Sequence, residues 1–130
     1  MAEYIGQFRG CTSKEESREL LKNGLSKDTA DMYYSITRDG EAGRPDVVSG
    51  GVYHNDIPAW SLTKLIELMN DRPRTYKVSL YNDDTGGWIC SLYKWDTILN
   101  NELESFCSKD IMNAVVYIMN YMLTNGLLYE

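Results

Sequence analysis

Histidine is nearly missing from this chain: His54 is the only one among 130 residues. Hydrolytic triads and zinc sites both lean on imidazole, so one histidine and three scattered cysteines give no recognisable nucleophile–base or ligand set. Cys11, Cys90 and Cys107 are odd in number, far apart and in no paired motif, which argues against a disulfide framework. Long apolar runs are also lacking. The opening MAEYIGQFRG has no signal-peptide core and no stretch approaches membrane-span length, so a cytoplasmic protein with no membrane association is expected. Phosphate-cradling patterns are missing as well. VVSGG fits neither GxxxxGKS/T nor GxGxxG and does not run straight into a helix, so it reads as a turn. Basic residues are outnumbered throughout: residues 1–55 hold 7 basic and 9 acidic side chains, residues 56–130 hold 6 and 10, and the net charge is −6. Acidity spread this way aids solubility and disfavours contact with a phosphate backbone, so nucleic acid is not an expected partner.

What is present is aromatic and helical. Ten tyrosines and three tryptophans argue against disorder, and 130 residues suit one domain spanning 1–130 with a single core. TSKEESRELLKNG predicts a helix: Thr12 or Ser13 caps it, Glu15 or Glu16 completes a capping box in either register, and Gly24 ends it. SKDTADM adds a short helical turn capped by Ser26. MYYSIT, residues 32–37, reads as a strand. The glycine-bearing segment RDGEAGRPDVVSGG reads as a long loop, with a second strand around Val47 to Tyr53.

RTYKVSLYNDDTGGWICSLYKW is a hairpin pattern over residues 74–95. Tyr76, Val78 and Leu80 alternate with Thr75, Lys77 and Ser79; Trp88, Cys90 and Leu92 form one face of the second strand, and Ile89, Tyr93 and Trp95 the other. DTILNNELESFC defines no clear element. A last helix is expected from Ser108, with Asp110 in its first turn, an apolar stripe of Ile111, Val115, Ile118, Met119 and Met122, and a stop at Asn125-Gly126. The fold class is α+β: a small antiparallel sheet of three to four strands, including the 74–95 hairpin, packed with about three helices.

Candidate chemistry is sparse. His54-Asn55-Asp56 are sequence neighbours and do not face one another in an extended segment, so His54 reads as a surface residue. Asp83-Asp84 sit in a turn, and Glu102 with Glu104 lie in the undefined connection; a carboxylate pair for catalysis would have to face across a cleft. Cys107 just precedes the expected cap of the last helix, where a thiol pKa can fall, but with no histidine near it in sequence a packed or inert thiol is the plainer reading. Met112, Met119 and Met122 fall at helical spacing and read as core. The better partner-binding candidates are Tyr81, Tyr93 and Trp95, which share the second face of the hairpin unless a helix covers it. No catalytic residue, metal ligand or cofactor is expected.

NDIPAWSLTKLIELMN is the most distinctive stretch. Pro58 holds Ile57 extended, Ser61 caps a helix starting at Leu62, and Trp60 and Leu65 form a hydrophobic staple across that cap. A second register has Asp56 as the cap and Pro58 in the first turn, but it spreads the apolar residues more widely. In the first register Trp60, Ser61 and Leu65 are structural.

Three segments together, T-S-x-E-x-S-x-x-L-L-x-x-G-L, T-A-D-M-x-Y and I-P-A-W-S-L, resemble a family of small uncharacterised proteins from gut Bacteroidetes, their prophages and other mobile elements. The resemblance implies an intracellular protein of phage or mobile-element origin and carries no activity, ligand or site residue with it. The function expected is therefore that of a non-enzymatic accessory protein acting on an unknown protein partner, with homodimerisation through a helix or sheet edge compatible with such a chain. Two other readings stay open: an acidic inhibitor of a host nucleic-acid-binding or defence protein, and a small enzyme with a carboxylate-based site.

Overall fold

A computed structural model describes residues 10–34, 45–47, 57–70, 75–94 and 101–128, with the backbone alone at 45–47 and 101. His54, Trp95, all of VVSGG but Val47, and most of the 38–51 loop lie outside the described residues.

Ser13 begins the first helix, α1 (Lys14–Lys22), through a capping box: its hydroxyl accepts from the Glu16 N–H, while the Glu16 carboxylate accepts from the Ser13 N–H. Gly24, at φ +109°, supplies the left-handed turn that ends it. A 3-10 turn at Lys27–Thr29 follows, capped by Ser26 as expected. Strand β1 (Met32–Tyr34) lies between β2 (Pro45–Val47) and β3 (Ile57–Ala59), both antiparallel to it. Helix α2 (Leu62–Asn70) then leads to a second antiparallel sheet of β4 (Tyr76–Asn82), β5 (Trp88–Lys94) and β6 (Asn101–Ser108). Helix α3 (Ile111–Thr124) closes the described fold, with Gly126 at φ +69° just past its end. The class is α+β; the described residues form three α-helices and two sheets of three strands.

Two strands were not legible. Residues 57–59 pair with β1, so the segment before α2 is a short strand and Asp56 cannot cap a helix through Pro58. Residues 101–108 form β6 on β5, and α3 therefore starts at Ile111 with Asp110 as its cap, three residues later than Ser108. The β6 pattern is hidden because Glu104, Phe106 and Ser108 share its inner face, and because the register slips between Leu92 and Tyr93, leaving Leu103 as an extra residue.

The core forms where α3 crosses β5 and β6 and meets α1 and α2. Met112, Ala114, Val115, Ile118, Met119 and Met122 are fully buried there with Leu20, Leu65, Met69, Cys90 and Leu92. Burying each of the leucine, isoleucine, valine and methionine side chains among them stabilises the fold by about 1.5–3 kcal/mol. Register explains the sidedness of the sheet: Val78 faces Leu92 and Leu80 faces Cys90, so one face of the hairpin packs on α3.

The three sequence signatures meet in one hydrogen-bonded junction. Thr12 of the first is fully buried; its hydroxyl accepts from the Trp60 N–H and lies 2.8 Å from the Ser17 hydroxyl, and its own N–H donates to the Trp60 carbonyl. From the second, Thr29 accepts from the Trp60 indole N–H at 3.0 Å. Asp31 takes the Ser61 N–H on one carboxylate oxygen and the Ser61 hydroxyl on the other, at 2.8 and 2.6 Å. Tyr34 donates to the Thr12 carbonyl. Ser61 still accepts the Lys64 N–H at 3.1 Å, so it caps α2 while Asp31 holds it in place. Trp60 and Leu65 are both fully buried, as a staple requires.

Candidate interaction surface

The sequence points to the outer face of the hairpin. Tyr81 stands opposite Ile89 and Tyr93 opposite Lys77, so the two tyrosines share that face, four residues or about 13 Å apart along the strands. Tyr81 is 44% exposed, Tyr93 is half-buried, and Trp95 lies outside the described residues. Between the tyrosines a serine row, Ser79–Ser91–Ser105, crosses all three strands. Ser91 is fully buried, and among the described residues its hydroxyl has no hydrogen-bond partner. Leaving such a group unpaired costs about 1–3 kcal/mol, so Ser91→Ala should raise stability by roughly 1 kcal/mol in denaturant unfolding. A loss of stability would show that the hydroxyl is used.

Asp83 and Cys107 are held by local contacts. Asp83 accepts from the Thr85 N–H and hydroxyl, which holds its carboxyl below the usual carboxylate range. Exposed Cys107 is in β6, not at a helix cap, and its thiol donates to Asp83 at 3.3 Å. That hydrogen bond and the carboxylate's charge push the thiol pKa up, opposite to the shift a helix cap would give. Asp83→Asn should therefore speed alkylation of Cys107 at pH 8 several-fold; an unchanged rate would contradict this account. Cys90 is silent in such an assay, since burial pushes its thiol up to about 12. Among the described residues no group of three or more His, Cys, Asp or Glu side chains could hold a metal ion, and no helix is long and apolar enough to cross a membrane.

A surface that sequence reading missed lies between α1 and α3. Helix α3 carries no charged residue over its 14 positions; its outer stripe is Asn113, Tyr117, Asn120 and Thr124. These face Glu16, Glu19 and Asn23 of the α1 side across an open groove of about 370 Å³, floored by Val116 and Tyr121. Asn120 ties the walls together: its amide donates to Glu19 at 3.2 Å and its oxygen accepts from Asn23 at 2.8 Å. Tyr117 is 39% exposed and stacks on Phe106 of β6, with ring centroids 4.1 Å apart and planes 10° apart. Its hydroxyl donates to Glu104 at 3.0 Å, and the carboxylate raises the phenol pKa, so the hydroxyl stays protonated. The described lining thus holds two carboxylates, three amides and two tyrosines, with no lysine or arginine. A long helical face without charge was the available sequence signal, at positions 113, 117, 120 and 124.

The chain matches no family model, no curated protein and no solved structure.

Proposed function

We propose that this chain is a non-enzymatic accessory protein of phage or mobile-element origin that works in the cytoplasm by binding another protein through the α1–α3 groove. The observation that carries the reading is a division of labour. The signature side chains Thr12, Asp31, Trp60 and Ser61 are committed to one another inside the fold, whereas the groove presents Asn113, Tyr117 and Thr124 as exposed side chains. An exposed tyrosine among amides, on a helix without charge and with glutamates on the opposite wall, has the composition of a protein interface more than of a solvated helix face. The carboxylate-enzyme reading gains no support, since Glu19 is exposed and Glu16 is engaged in capping α1. The acidic-inhibitor reading gains none from α1, where Lys14, Arg18 and Lys22 alternate with its glutamates.

Site-specific photo-crosslinking in the host tests the proposal. A photo-reactive residue at Asn113 should give a discrete heterologous adduct, and one at Thr85, in the exposed hairpin turn, should not. No adduct from Asn113, or the same adducts from both sites, would overturn it.

A further inference from the structure

Resting on the reading of the α1–α3 groove as a partner surface, we infer that what it takes is an arginine side chain on a basic segment of the partner. Phe106 stacks on one face of the Tyr117 ring, and Tyr117, 39% exposed, also lines the groove. The Tyr117 hydroxyl donates to Glu104, which draws negative charge onto the phenol and enriches the ring that a cation would meet. Across the groove stands exposed Glu19, fixed by the amide of Asn120. No lysine or arginine is among the described residues that line the groove beside it.

A planar guanidinium fits this arrangement best. It stacks on an aromatic face while its edge N–H groups reach a carboxylate, and being weakly hydrated it loses little on leaving water. An ammonium group gains the charge attraction but neither the stacking nor the forked donor geometry. Asn113 lines the same groove, and an amide oxygen there is an acceptor for the remaining guanidinium donors. Acidity elsewhere on the chain attracts any cation, so the mark of this site is preference for arginine over lysine.

The experiment uses the full chain, isotope-labelled for amide chemical-shift mapping, titrated with three peptides of equal length: an arginine-rich peptide, its lysine counterpart and an uncharged counterpart. The arginine peptide should bind at least fivefold tighter than the lysine peptide and shift the amides of residues 16–23 and 113–124. Glu19→Gln and Tyr117→Leu should each weaken it at least fivefold. Tyr117→Phe, which keeps the ring, should cost about twofold or less, and Glu67→Gln on α2 nothing. Equal affinity for arginine and lysine peptides, or insensitivity to Glu19→Gln and Tyr117→Leu in variants that keep their spectra, overturns the arginine assignment. If the lysine or uncharged peptide shifts the groove amides equally, the assignment fails while the groove stands as a binding surface. If no peptide shifts them, both fail.

Discussion

Replacing Trp60 by alanine is expected to lower the melting temperature by about 10–20 °C, the largest effect of any single substitution considered for this fold. The indole is fully buried, and truncating a buried aromatic to alanine costs about 3–5 kcal/mol. For a domain of this length each kcal/mol moves the midpoint by roughly 3–5 °C. Two separable parts make up the loss. One is volume at the junction of Leu20, Leu65 and the α2 cap; the other is the indole N–H, which would leave Thr29 without its donor. Trp60→Phe keeps most of the first and loses the second, so it should fall between wild type and Trp60→Ala. Thermal unfolding followed by circular dichroism checks both. Unchanged melting together with loss of a binding activity would make Trp60 a recognition residue after all.

Asp31→Ala is the second large effect, expected at about 2–3 kcal/mol because hydrogen bonds to charged groups contribute roughly 1.5–3 kcal/mol each and half-burial lets water replace part of them. Both bonds go to Ser61, one to the backbone and one to the hydroxyl that caps α2. The cost should therefore be strongly non-additive with Ser61→Ala: once Ser61 has lost its hydroxyl, Asp31→Ala removes only the backbone bond. A double-mutant cycle by urea unfolding measures this coupling, expected near 1 kcal/mol or above. Strict additivity would mean that the carboxylate stabilises something other than the α2 cap.

How much of this was legible depends on how local each cause is. The Ser13–Glu16 capping box, the Gly24 and Gly126 stops, the Ser61 cap with its Trp60–Leu65 staple and the hairpin register are all set by residues within a few positions of one another, and each stands where sequence patterns place it. The methionines of α3 fell to the core for the same reason, since a helical period puts Met112, Met119 and Met122 on one side. The elements that escaped depend on distant partners. Strand β3 contains a proline and only three residues, and it exists because β1, distant in sequence, pairs with it. Strand β6 mixes glutamate, serine and phenylalanine on its inner face and carries a bulge, so its identity comes from β5. Asp31 looks like an ordinary turn residue until Ser61, thirty positions away, is beside it.

The candidate site was the least legible part, for a related reason. A groove has no sequence of its own; it is the space left between two helices that share a core. Asn23 and Asn120 are 97 positions apart and meet only because α1 and α3 pack together. The sequence did point to exposed aromatics, but on the hairpin, where Tyr81 and Tyr93 sit at opposite ends of a sheet face. Tyr117 drew no notice inside an apolar run, although it alone on α3 pairs a stacked ring with a carboxylate-bound hydroxyl.

What separates this account from one in which the whole chain is merely a stable scaffold is that folding and partner contact rest on different residues. The most direct measurement is crosslinked-adduct yield from a photo-reactive residue at Asn113 in a chain carrying both Glu19→Gln and Tyr117→Leu, read beside the melting temperature of that same chain. The expected result is melting that falls by no more than about 3–5 °C, the equivalent of roughly 1 kcal/mol for two largely exposed positions, with adduct yield down at least tenfold. Adduct yield equal to that of the otherwise wild-type chain, at comparable melting, would contradict it.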